Sequence, residues 1–185
     1  MTGGGELTAQ PYAAHVREIL PRSASIIEAF RQSTSSDHRG QHVLNTAKEL
    51  ANHHQRQWQA EEASRAPGAP IEDIAASKRL IDGLNARRVV LVERIDEWVA
   101  TQVHGVVPHA SLHTETLGSV VDRLAIAWVR ANSLINSGDA RDRARLALRQ
   151  LAELADAYDD LIRDVATGHR RLPTWRSLKT YRSAS

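Results

Sequence analysis

Cysteine is absent from the 185 residues. Disulfide staples, thiolate nucleophiles and cysteine-ligated zinc are thereby excluded. Aromatic residues are scarce at 4%, and only one is Phe, which favours helices over an aromatic-rich β-sandwich. No apolar run reaches membrane-spanning length, and no early run has the shape of a secretory leader. The expectation is a cytoplasmic protein with no membrane partner. Charge of one sign is also in short supply, since 24 Lys and Arg against 22 Asp and Glu leave a formal +2. So small an excess speaks against nucleic-acid binding, despite the basic stretch after Gly168. Serine-nucleophile motifs, phosphate-binding glycine loops and dinucleotide fingerprints are missing too.

What is there is Ala, Leu and Arg, in a chain that is 42% hydrophobic and 25% charged. That is a globular, helix-favouring composition. The Gly-rich residues 1–10 read as a disordered start. A helical domain is expected over 11–170 and a basic tail over 171–185. Helices are expected near Tyr12–Leu20, after Pro21, at about Gln41–Arg65, and from Ile71 to about Val103. Two more are expected, one ending near Leu134 and one from an Asp139 cap to Gly168. The prediction is an all-α, single-domain bundle of about five main helices.

Helical phase then exposes a departure from ordinary patterning. On the helix from Ile71, the apolar line is Ile74, Ile81, Val92 and Val99, while Arg79 and Arg94 mark the opposite face. Lys78, Asn85 and Arg88 fall within about 40° of that apolar line, and Asp82, Glu93 and Asp96 flank it. In the preceding helix, the stripe Leu44, Ala47, Ala51, His54 and Trp58 continues into Glu61, Glu62 and Arg65. Burying charge costs several kcal/mol unless it is paired. Two explanations stand open: a salt-bridge network, or a polar cavity holding a polar ligand.

The stretch "LHTETLGSVVDRLAIAWVR" adds a third helix of the same kind. Leu117, Val121, Leu124, Ala125 and Trp128 form its buried stripe. Thr114 or Thr116 can cap its start, and Gly118 leaves room for a close approach. Glu115 and Asp122 are placed to bring carboxylates to the same cavity edge. Arg123 points the other way by phase and reads as a structural or subunit contact. His109 and His113 have a metal-ligand spacing only if their segment is helical, which Pro108 opposes, so no metal site is expected.

"WQAEEASR", "KRLIDGLNARRVVLVERIDEWV" and "LHTETLGSVVDRLAI" together resemble three motif blocks of the bacterial family catalogued as Domain of Unknown Function 4254. The resemblance covers roughly residues 40 to 135. It points to Trp58, Glu61, Glu62, Arg65, Lys78, Asp82, Asn85, Arg88, Thr114, Glu115, Thr116, Gly118, Asp122 and Arg123. Leu117 stands where the family pattern has Pro, which implies a slightly shifted helix start. Members of the family lie near sugar-nucleotide and glycosyltransferase genes, which implies sugar or nucleotide chemistry in a biosynthetic pathway.

The leading functional expectation is a metal-independent hydrolase of a glycosidic or N-glycosidic bond in a phosphorylated nucleoside or sugar metabolite, with no cofactor. Glu115, Asp82 and Asp122 would supply carboxylates, and Lys78, Arg88 and Arg65 would hold phosphate. Trp58 would stack on a base, with Glu61, Glu62, Asn85, Thr114 and Thr116 completing the binding set. One alternative is a magnesium-dependent nucleotide pyrophosphohydrolase, using Glu61–Glu62 and Glu93–Asp96. Another is a non-catalytic partner of a glycosyltransferase, or a homodimer built on the last helix through Leu151, Leu154, Tyr158, Leu161 and Val165.

Overall fold

Pro21 divides the first helical run, because it can neither donate the helical hydrogen bond nor follow a helical neighbour easily. Helix α1 spans Glu6–Ile19 and α2 spans Ser23–Arg31. The computed structural model describes residues 6–32, 39–68, 70–103, 109–137 and 141–174. Four longer helices follow among these residues: α3 (Gln41–Ser64), α4 (Ile71–Gln102), α5 (Leu117–Asn136) and α6 (Arg141–Ala166). The architecture is all-α, with five main helices and the nine-residue α2. α1 starts at Glu6, inside the stretch expected to be disordered, so helix extends further toward the N-terminus than its glycines suggest. The expected Asp139 cap and the tail beyond residue 174 lie outside the described residues.

The core lies where α3 and α5 pack against α2, α4 and α6. The stripe Leu44, Ala47, Ala51 and His54 is buried and Trp58 is half-buried. Leu117, Val121, Leu124 and Ala125 are buried on α5. Half-buried Trp128 meets the Phe30 ring at 5.6 Å between centroids. On α6, Leu151, Tyr158, Leu161 and Val165 are buried, so this face serves the core of a single chain. α6 also fixes the α1–α2 corner. The Tyr158 hydroxyl donates to the Pro21 carbonyl at 2.9 Å, and Asp159 accepts from both the amide and the hydroxyl of Ser23 at 2.8 Å.

Helix α4 departs most from expectation. Its buried residues are Leu84, Leu91, Val92, Ile95, Asp96 and Val99. None of residues 71–83 is buried, and Ile74 and Ile81, read as core from their phase, are only half-buried. The phase is right, but the helix is longer than what covers it. At about 48 Å, it outruns the about 30 Å of α5.

A short parallel pairing, not anticipated from sequence, joins β1 (Ser111–Leu112) to β2 (Arg170–Arg171). Gly168, at φ +74°, ends α6 in a Schellman turn. There the amide of His169 reaches the Asp164 carbonyl at 2.9 Å, and that of Gly168 reaches Val165 at 3.2 Å. The turn sends the chain back to β1, which leads directly into α5. The 109–116 segment is therefore non-helical, with turn and bend residues either side of β1, and His109 and His113 do not share a helical face.

Gly118 is where α5 touches α4. A Cβ there would collide with the Val92 carbonyl oxygen and the Asp96 carboxylate, whereas one at Gly83 would meet nothing within 4 Å. Gly118→Ala should therefore lower the unfolding free energy by about 1–3 kcal/mol in urea titrations. Gly83→Ala, in the uncovered half of α4, should raise it by up to about 1 kcal/mol through helix propensity.

Candidate functional site

Thr116 caps α5, accepting from the Ser119 amide at 3.3 Å and sharing a 2.9 Å hydroxyl contact with Ser119. Leu117 is the first helical residue, the position at which proline is best tolerated, so the departure from the family pattern leaves the helix start intact. Behind it, the amide of Gly118 donates to Asp96 Oδ1 at 2.7 Å. Asp96 is buried, and its carboxylate faces the positive end of α5. These contacts set the start of α5 against α4 and leave Glu115 just ahead of the cap.

One turn further on, Asp122 has only 2% of its surface exposed. His54 Nε2 donates to its Oδ1 at 2.8 Å. Arg88 Nε lies 2.9 Å from Oδ2 and 3.0 Å from Oδ1, and Arg88 Nη2 donates to Oδ2 as well. Burial by itself pushes the Asp122 carboxyl up. The hydrogen bonds from His54 and Arg88, with their charges, outweigh it and hold the group below the usual carboxylate range. Asp122 is thus an ionised acceptor joining α3, α4 and α5. All of its hydrogen-bond partners belong to the protein's own frame.

Two adjoining grooves flank this ion pair, and Arg88 forms part of the wall of both. The first, of about 470 Å³, lies between α4 and the start of α5 and is lined by Asn85, Val89, Glu115, Ser119 and Arg123. The second, of about 230 Å³, is lined by His54, Trp58, Glu61 and Ile126. Arg123 donates to Glu115 Oε1 at 2.5 Å across the rim, so Arg123 serves the groove as well as the surface.

Of the residues singled out from sequence, Arg88, Asn85, Glu115 and Asp122 share the larger groove. Trp58 and Glu61 line the smaller one. Thr116 supports both indirectly as the α5 cap. The others do not gather there. Lys78 and Asp82 are exposed on the uncovered part of α4, Glu62 and Arg65 on the end of α3, and Thr114 ahead of the cap. Arg65 pairs with Glu61 at 2.9 Å in an exposed contact. The single cavity enclosing every inward-directed charge is therefore replaced by a buried ion pair with open grooves beside it. Among the described residues, no three His, Asp or Glu side chains are grouped to hold a metal ion.

From the sequence, His54 reads only as a core residue, and Asp96 enters only the magnesium-dependent alternative. His54 lies on the apolar stripe, where a core histidine and a functional one look alike. By phase, Asp96 lies on the flank of the apolar line, and its pairing with Gly118 spans 22 residues.

Because the folded-state pKa of Asp122 is depressed, its contribution is present at neutral pH. It is lost as pH falls below the ordinary carboxylate value of about 3.9 toward the folded one. Asp122→Asn should lower stability at pH 7 by about 3–5 kcal/mol, since Arg88 and His54 lose a charged acceptor. It should also flatten the acid limb of the stability–pH curve measured by denaturant unfolding.

No curated protein and no solved structure matches this chain. A family profile described as "Protein of unknown function (DUF4254)" matches residues 44–174. The match runs from α3 through β2, beyond the motif blocks ending near residue 135, and takes in α6. Most of the chain is covered, and the protein belongs to the DUF4254 family.

Proposed function

We propose that the groove between α4 and α5 binds a phosphorylated nucleoside or sugar and hydrolyses its glycosidic bond without a metal ion. The observation that carries this reading is the Arg88–Asp122 pair. A buried carboxylate clamps one side of the guanidinium while the rest faces a groove that also holds Glu115 and Arg123. A guanidinium fixed in this way is a preorganised anion site. Trp58, in the adjoining groove that shares Arg88, offers a face for a base or sugar.

The chemistry falls to Glu115, the groove carboxylate not enclosed in the core. Water attacks the anomeric carbon and gives its proton to Glu115. The bond from that carbon to the leaving group breaks, and the leaving group departs with the bonding electrons and is protonated by solvent water, while Glu115 returns its proton to solvent. The carboxylate also opposes the positive charge that develops on the sugar. Asp122 acts as a positioning residue for Arg88, and Asp82 lies too exposed to share the step. Lacking a second free carboxylate in the groove, the site also supports a binding role without turnover, as in a partner of a glycosyltransferase. The magnesium-dependent reading has less support, because no cluster of three acidic or His donors is present among the described residues.

Nucleoside monophosphates, nucleotide sugars and sugar phosphates should be incubated with the protein in EDTA and followed by chromatography. Release of the base or aglycone is expected. Glu115→Gln should reduce kcat about 10²-fold or more with little change in ligand Kd. Binding without release would leave the non-catalytic role, strict magnesium dependence would favour pyrophosphate chemistry, and the absence of both binding and release would overturn the proposal.

A further inference from the structure

On α4, residues Ile71, Ile74, Lys78, Asn85 and Val89 share one helical line with Val92, Asp96 and Val99, and Asp82 flanks it. From Val92 onward, the start of α5 covers that line. From Val89 back to Ile71, α5 does not lie over it: Ile74 is half-buried, whereas Ile71, Lys78, Asn85 and Val89 are exposed. Val89 is 51% exposed and Ile71 80% exposed. Lys78 and Asp82 are exposed, opposite in charge and one turn apart, and neither has an ion pair among the described residues.

We infer that a second copy of this chain covers this line, with the two α4 helices antiparallel about a twofold axis at the level of Leu80. The register comes from the residues themselves. An axis between Lys78 and Asp82 sets each Lys78 against the partner's Asp82. Ile71 and Val89 lie nine residues either side of Leu80, so the same axis sets each Val89 against the partner's Ile71. One operation thus matches both opposite charges and both large exposed apolar residues of the line. The overlap, from residue 71 to 89, runs about 27 Å, long enough for a helix pair with side chains interlocked.

Asn85 and Val89 are exposed where they line the groove at Arg88. The partner's Ile71 would cover that exposed side, so the site is incomplete in one chain. This geometry also accounts for the exposure of Lys78 and Asp82 in a single chain. The pairing stands on α4 alone and does not depend on whether the groove catalyses hydrolysis.

Sedimentation of the full chain tests the arrangement. The wild-type protein should be a dimer. Val89→Asp should give a monomer with unchanged helical circular dichroism, since Val89 is half in solvent already. Lys78→Asp should weaken the dimer roughly tenfold, and adding Asp82→Lys in the same chain should restore it. A wild-type monomer at about 100 µM would overturn the proposal. A dimer indifferent to Val89→Asp, or a double exchange that fails to restore assembly, would overturn it equally.

Discussion

A carboxylate sealed from water must find its counter-charge within the protein or surrender its proton, and Asp122 finds it twice. His54 reaches it from α3 and Arg88 from α4. Desolvation of such a group costs several kcal/mol and is offset only when hydrogen bonds are well directed. Both partners come from other helices, so the requirement fixes α5 in rotation and in height against each of them. Gly118 adds a second constraint one turn earlier, where its amide and its missing side chain let α5 settle onto Val92 and Asp96. Two contacts a turn apart define a direction as well as a point. The groove inherits its shape from that direction.

Those contacts also explain why the charges expected to gather in one place divide into two populations. Asp122, Arg88 and Asp96 lie where α5 crosses α4 and are drawn into the frame. Lys78 and Asp82 occupy the same helix and nearly the same angular sector, but α5 does not extend over them. Helical phase states the direction in which a side chain leaves its helix. It says nothing of how far the neighbouring helix continues. The length of cover is a tertiary fact, and the stripe of α4 simply outlasts it.

The bundle was readable because its signals are local and repeated. Pro21, Gly168 and the turn before Ile71 mark helix ends, and the stripes of α3, α5 and α6 give their buried faces directly. The β1–β2 contact was not readable, since two residues per strand carry no periodicity. The start of α1 was hidden by glycines that colour the composition of the stretch beside it. At the site, Arg88, Asp122, Trp58 and Glu115 were visible as charged or aromatic groups near apolar lines. His54 was visible as a core residue but not as a partner, because its role depends on a carboxylate 68 residues away.

Once the structural demands are met, the polar groups left beside the grooves are few, and this narrows the chemistry. Asp122 is consumed by His54 and Arg88, Asp96 Oδ1 by the Gly118 amide, and Thr116 by its cap. Arg88 retains part of its guanidinium, Asn85 its amide, and Glu115 a carboxylate oxygen beyond the one that meets Arg123. Under the proposed reading, two guanidinium groups, one carboxylate and an aromatic face close by would suit a ligand that carries negative charge at one end and a ring at the other. On that reading the ligand would be held with few moving parts, because the buried ion pair has already immobilised the principal cation.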